Sequence, residues 1–261
     1  MATEQIHGRS GLRPEHGPLF IVVGVFDGLH RGHAYVLEHL RFEGRAHGAR
    51  PAVVTFDAHP DAVLTGHAPP LLMDADERLE RLADAGVEVV VIEHFDDELR
   101  RTEYDAFVDG IASRTPVSGF LMTPESAFGH ERRGTPEALA ALGERIGFEV
   151  VVVPPFALDG REVRSSEIRA AITTGDLVAA QRLLDRPYGV TGTPQRDGSL
   201  AFPMPVALPP AGTYRVTVEA AADRVDGGPL ATAEVSSDGV RLTGSQPGER
   251  LRVVFVEAAA G

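Results

Sequence analysis

The sequence predicts a doubly wound parallel α/β sheet followed by a small antiparallel β-barrel. Five near-continuous apolar, β-branched runs recur up to residue 154, with stretches of helical period between them. Past residue 192 the helical period stops, proline and glycine become dense, and short alternating segments take over. Continuous apolar strands alternating with amphipathic helices mean a parallel sheet covered on both faces. Short strands separated by turn signals mean antiparallel pairing.

In chain order the five runs are LFIVVGVF (19–26), PAVVTF (51–56), VEVVVIE (87–93), GFLMT (119–123) and FEVVVVP (148–154). After the first, residues 32–48 place Tyr35, Leu37, Leu40 and Phe42 toward one side of a helix. Residues 76–86 do the same with Leu79, Leu82 and Ala83, and stop at Gly86 as a helix C-terminus should. Residues 135–147 open on Thr135, with Pro136 at the first helical position and Glu137 close behind. In the last third, TYRVTVE (213–219) puts Tyr214, Val216 and Val218 on one face. ATAEVS, GVRLTG and RLRVVFVE follow, separated by turn pairs such as Asp238-Gly239 and Pro247-Gly248. The expected division is an α/β domain over residues 1–187 and a β domain over residues 188–261.

The bulk numbers remove several function classes. A chain of 261 residues with 43% apolar and 24% charged residues is an ordinary globular protein of a size that suits two domains. A net charge of −13 argues against a general nucleic-acid or anionic-membrane binder, which needs a basic surface. There is no cysteine, so disulfides, thiolate metal sites and a cysteine nucleophile are absent. There is no lysine either, which leaves phosphate binding to arginine, histidine and backbone N–H groups. The first eighteen residues lack the apolar core of a secretion signal, and no stretch approaches a membrane span. A soluble, cytoplasmic protein is expected.

In an open α/β sheet, ligands bind outside the carboxyl ends of the strands. The segments that follow four of the runs are DGLHRGH (27–33), DAHPDAVL (57–64), PESAFGHERRG (124–134) and PPFALDGREVRSSEIR (154–169). They send His30, His33, His59 and His130 to one edge, together with Arg132, Arg133, Arg164 and Arg169. In the first segment, Gly28 and Gly32 allow close backbone approach, and a helix N-terminus offers N–H groups and a positive dipole end. His30 and His33, three apart, can face the same anion from one side. A zinc site would want a third ligand and usually a glutamate between the histidines, so no protein-bound metal is expected. VRSSEIRAAI (163–172) repeats the logic: Ser165 or Ser166 as N-cap and Arg169 one turn later make a phosphate seat. Read alone, a serine cap needs no ligand, and Arg132, Asp57 and His59 are loop polars.

GVFDGLHRGH resembles the G-N-F-D-G-x-H-x-G-H element of the bifunctional bacterial riboflavin kinase/FMN adenylyltransferases, or FAD synthetases, of the nucleotidyltransferase superfamily. TFDAHPDAVL is similar to their T-F-x-P-H-P element, AFGHERRG to F-x-F-G-x-x-R-x-G, and VRSSEIR to I-S-S-T-x-I-R. Residues 76–99 resemble the helix-strand segment between those elements, and residues 175–192 the junction into the kinase domain. The resemblance implies a Rossmann-like sheet and transfer of AMP from MgATP to FMN, giving FAD and pyrophosphate. It implies that His30, His33 and Arg169 act on the phosphates during transfer. Gly24, Phe26, Asp27, Gly28, Arg132, Ser165 and Ser166 would serve the nucleotide. Phe56, His59, Pro60, Glu125 and Phe128 would serve the flavin, and Mg2+ would arrive with ATP.

The chain also departs from that pattern. Val25 replaces the asparagine, Ala58 the proline before the histidine, and Ser166 the threonine; Glu125 and Ser126 stand where an aspartate and an aromatic are usual. The kinase element G-F-P-T-A-N corresponds to AFPMPV (201–206), in which Met204, Pro205 and Val206 replace the groups that bind MgATP. PPAGTYRV (209–216) still resembles the P-x-G-x-Y strand, so a degenerate barrel without kinase activity is expected. Two other readings remain open: a nucleotidyltransferase for a different phosphorylated acceptor or modified flavin, and a non-catalytic flavin- or nucleotide-binding protein. The complete phosphate motif, which a sensor need not keep, stands against the second.

Overall fold

The computed structural model describes residues 3–221, 228–244 and 247–258. The chain divides into two compact units, one of Met1–Pro69 with Leu79–Glu162, the other of Pro70–Arg78 with Val163–Gly261. This differs from a single boundary after residue 187: the residues from Val163 and the short segment 70–78 group with the barrel. Among the described residues, no helix is long and apolar enough to cross a membrane.

The first unit is built on six strands: β1 (Glu4–His7), β2 (Leu19–Val23), β3 (Arg50–Phe56), β4 (Val89–Glu93), β5 (Val117–Met122) and β6 (Glu149–Val152). They form one sheet in the order β1-β4-β3-β2-β5-β6, parallel at every pairing. Between them run α1 (Arg31–Ala46), α2 (Asp61–Leu64), α3 (Ala75–Asp84, of which the residues from Leu79 belong to this unit), α4 (Asp97–Arg101), α5 (Tyr104–Ala112) and α6 (Pro136–Ile146). A two-residue ladder, β7 (Ala157–Leu158) with β8 (Arg161–Glu162), ends the unit. Leu19, Ile21, Val54, Val89, Val91 and Phe120 of the sheet pack with Phe107, Ile111 and Leu139 of the helices. Each such side chain, once buried, contributes about 1.5–3 kcal/mol.

The helix punctuation follows the sequence. Thr135 caps α6 by accepting the Ala138 N–H at 3.3 Å, Pro136 opens it, and Gly147 closes it at φ 92°. Helix α3 ends before Gly86, which takes φ 79°. One expectation fails in α1: Leu37, Leu40 and Gly44 are buried, whereas Phe42 is 59% exposed. At 100° per residue Phe42 lies about 200° around the helix from Leu40, so the two cannot share a face.

The second unit holds α7 (Ser165–Thr173), α8 (Leu177–Leu184) and six strands: β9 (Gly189–Pro194), β10 (Leu200–Ala201), β11 (Gly212–Ala220), β12 (Leu230–Ser236), β13 (Gly239–Leu242) and β14 (Leu251–Ala258). The sheet order is β10-β9-β14-β11-β12-β13, antiparallel throughout. A bridge from Ser199 to Arg241, with the Leu242 N–H donating to Gly198 O at 2.9 Å, brings the two ends together into a nearly closed barrel. Tyr214 and Val216 face the interior as the alternation requires, but Glu219 rather than Val218 is the next buried residue of β11. The register of β11 on β14 shifts between Arg215 and Val216, where the extra residue, Val256, lies on β14.

Candidate active site

In the first unit, β2 and β5 are neighbours at which the chain order diverges to either side, so the loops after them leave a crevice. The loop after β2 carries the first motif. Its path is tight: Phe26 takes φ 56°, Gly28 φ 83° and Leu29 φ 37°. Left-handed backbone costs glycine little, and non-glycine residues hold it only where the surroundings enforce it. The Thr55 hydroxyl donates to Val25 O at 3.2 Å, and Gly24 N–H donates to Val54 O at 3.0 Å, pinning the loop to β3. Asp27 and His30 are buried.

His30 is the N-cap of α1: its Nδ1 accepts the His33 N–H at 3.3 Å. The imidazoles stack, with centroids 3.7 Å apart and planes 17° from parallel, and Phe26 packs on His33 at 5.1 Å. An accepting Nδ1 means that neutral His30 carries its proton on Nε2. His30 thus closes a helix N-terminus, where the dipole and the first-turn N–H groups favour an anion.

A cavity of about 700 Å³ opens beside this loop, a volume suited to a small-molecule ligand. Gly24, Phe56, His59, Pro60, Phe128 and Arg132 all line it, so four of the five expected flavin residues and two of the expected nucleotide residues meet there. Glu125 does not line it; its carbonyl instead accepts from Arg132 Nη2 at 3.0 Å, which fixes that guanidinium. Gly129 brings the wall against α5, where a Cβ would come within 2.6 Å of Tyr104 N. Glu131 and Arg132 both take left-handed backbone, φ 51° and 57°, two consecutive strained residues at the cavity wall.

Sequence reasoning missed Phe95, which lines the same cavity and meets Phe56 edge to face at 5.2 Å and 85°. It also missed Leu99, Arg100 and Phe107, which line the cavity too. Phe95 is positioned by Asp57, whose Oδ1 accepts its N–H at 3.2 Å and whose Oδ2 meets His94 Nδ1 at 2.6 Å. Partial burial would raise the Asp57 carboxyl, but the His94 and Phe95 hydrogen bonds outweigh it and hold the group below its ordinary range. The same hydrogen bond to Asp57, helped by its charge, raises His94 above 6.5.

The second motif lies in the second unit. Arg164, not a serine, is the N-cap of α7, with no side-chain cap bond; Ser165 and Ser166 are its first two residues. The preceding extended segment sets Arg164 at φ −125° and ψ 147°, and the helix begins one residue earlier than a serine cap would place it. Arg169 sits one turn in and donates from Nε to Pro70 O at 2.8 Å.

A sequence model of the FAD synthetase family matches residues 12–167. A bifunctional riboflavin kinase/FMN adenylyltransferase of Haemophilus influenzae is 32% identical over 174 residues, covering 66% of this chain and 56% of that protein. Its namesake in Pseudomonas fluorescens is 30% identical over 225 residues, covering 82% of this chain and 72% of the relative. A crystal structure called a macrolide-efflux protein, from Streptococcus pneumoniae, superposes with a TM-score of 0.79 over 99% of this chain and 91% of its own. At 21% identity that likeness is one of fold. The family match covers more than half of the chain, including the His30/His33 loop and the walls of the cavity beside it, and the chain belongs to the FAD synthetase family.

Proposed function

We propose that this chain is an FMN adenylyltransferase: it moves AMP from MgATP to FMN and releases FAD and pyrophosphate. The observation that carries the reading is the pairing, in one unit, of a stacked His30/His33 pair at a helix N-terminus with an aromatic, arginine-bearing cavity beside that loop. An FMN phosphate oxygen attacks the α-phosphorus of ATP, and the bond from that phosphorus to the α,β-bridging oxygen breaks. Negative charge grows on the bridging oxygen as pyrophosphate leaves, so the protein's task is positioning and charge stabilisation. His30 Nε2–H and His33 supply donors to that charge, with Gly24, Phe26, Asp27 and Gly28 shaping the loop. Arg169, Ser165 and Ser166 hold the β- and γ-phosphates. Phe56, His59, Pro60 and Phe128 receive the flavin, and Arg132, steadied by Glu125, supplies charge at the cavity wall.

In this reading residues 1–187 perform the transfer in the cytoplasm, and residues 188–261 form a kinase-like barrel that has lost its activity. Met204 and Val206 offer no hydroxyl or amide, the thioether being only a weak acceptor, and Pro205 lacks an N–H. The backbone of this stretch is engaged elsewhere: Leu71 N–H donates to Pro205 O at 2.8 Å, and Ala207 N–H to Leu71 O at 2.9 Å. A second reading, transfer to a different phosphorylated acceptor or a modified flavin, is favoured by Val25, Ala58, Glu125 and Ser126, which depart from the family's pattern at groups expected to touch the base or the isoalloxazine. Pyrophosphate release with ATP or CTP against a panel of phosphorylated acceptors separates the two. FMN with ATP as the best pair supports the first reading, and another acceptor at higher kcat/KM replaces it with the second.

A further inference from the structure

The segment 70–78 is a buried strap within the second unit. Leu71, Leu72, Met73, Asp74, Glu77 and Arg78 are all less than a tenth exposed. One side pairs with the chain around Val206 as a parallel bridge. Asp74 and Asp76 both take the guanidinium of Arg250. Glu77 meets Arg252 at 3.5 Å and the Thr191 hydroxyl at 3.5 Å, and Arg252 reaches Glu219 at 3.7 Å. The barrel thus fixes the strap through backbone pairing and two arginines of the β14 region. The other end of the strap is Pro70, whose carbonyl accepts from Arg169 Nε.

We infer that this strap is a positioning device for Arg169, and that seating it is what the barrel contributes to nucleotide handling. A guanidinium is planar, so a bond at Nε sets the direction in which its two terminal nitrogens meet a phosphate. If Pro70 shifts, Arg169 loses that orientation while keeping its charge. Asp74 ties the strap's position to a helix as well, because its Oδ1 accepts the Glu77 N–H at 2.8 Å at the start of α3. Arg250 joins the two carboxylates on the barrel side, and is a positioning residue two contacts removed from the phosphate. The inference rests on the assignment of Arg169 to phosphate in the proposed function.

The test uses the full chain and inorganic tripolyphosphate as the probe, read by titration calorimetry, with KM for ATP and kcat measured beside it. Arg250→Ala is expected to weaken tripolyphosphate binding and raise KM for ATP by about tenfold, the order of one charge-assisted hydrogen bond. FMN affinity should not move, and Arg250→Lys should restore part of the loss. In an Arg169→Ala background the Arg250 substitution should add nothing further. Asp76→Asn, at an exposed strap residue, gives the same readout without touching the buried charges if Arg250→Ala fails to fold. Wild-type binding in both variants, or full additivity with Arg169→Ala, overturns the inference. A wild-type chain that does not bind tripolyphosphate overturns it too, by removing Arg169 from phosphate. Binding with the expected coupling but no FAD formed leaves the strap standing and removes the proposed reaction.

Discussion

His30 and His33 share one hydrogen bond and one stacked face: Nδ1 of the first accepts the main-chain N–H of the second at 3.3 Å, with ring centroids 3.7 Å apart. His30 therefore caps the helix through Nδ1, which separates that structural job from the proposed donor role of the other ring nitrogen. Asparagine caps helices well, so His30→Asn keeps the cap and removes the imidazole. Turnover is expected to fall on the order of 10²-fold in His30→Asn and in His33→Ala, with smaller changes in ATP affinity. Thermal stability should hold in His30→Asn and drop by about 1 kcal/mol in His30→Ala. Pyrophosphate release within threefold of wild type in both His30→Asn and His33→Ala would return the pair to a structural role.

Arg169→Lys keeps the charge but cannot make the same Nε contact to Pro70 or a bidentate fork on phosphate. ATP affinity by calorimetry is expected to fall about tenfold. Unchanged affinity would leave α7 an ordinary helix start.

Phe95 forms the aromatic wall with Phe56. Removing the ring deletes an edge-to-face contact and leaves the cavity wider, so Phe95→Ala should weaken FMN binding about tenfold while ATP binding stays. Quenching of FMN fluorescence on titration reads this directly, and an unchanged dissociation constant would take Phe95 out of the flavin site.

The Asp57–His94 pair carries a pH signature. His94 is raised in the folded chain, so its contribution is fully present below pH 6.5 and is lost as pH rises through its folded value. Asp57 is lowered, so its contribution is present above pH 3.8 and is lost as pH falls through its folded value. Both contributions are present between those two limits. NMR titration should find His94 above 6.5 in wild type and back near that value in Asp57→Asn. A His94 titration that ignores Asp57→Asn would contradict the pairing.

Much of this was legible because the signals were local. Thr135-Pro136 and Gly86 mark helix ends through their own backbone chemistry, and the β2–β5 runs are apolar because both faces of the sheet are covered there. Strand β1 was not legible: EQIH is an edge strand in which only Ile6 is buried, so no run announces it. It is held by long-range pairing with β4, Glu4 on Val89 through His7 on Ile92, and just beyond it the Arg9 N–H and Nη1 bind the Glu93 carboxylate at 2.5 and 2.8 Å. The motif residues around the cavity could be named because resemblance marked them, whereas Phe95 enters through a turn fixed by Asp57 that no motif encodes. The strap was invisible for the same reason. LLMDADER reads as a loop before a helix until Pro205 and Arg250, distant in sequence, are brought beside it.

Adenylyl transfer to FMN without riboflavin phosphorylation is the reaction proposed for this chain. The most direct measurement incubates the full chain with ATP and magnesium in two arms, one supplied with FMN and one with riboflavin, and follows the flavins by chromatography. The account predicts many turnovers of FAD with equimolar pyrophosphate in the first arm, and in the second neither FMN nor FAD. No FAD from FMN would contradict the assigned reaction, and catalytic formation of FMN from riboflavin would contradict the silent barrel.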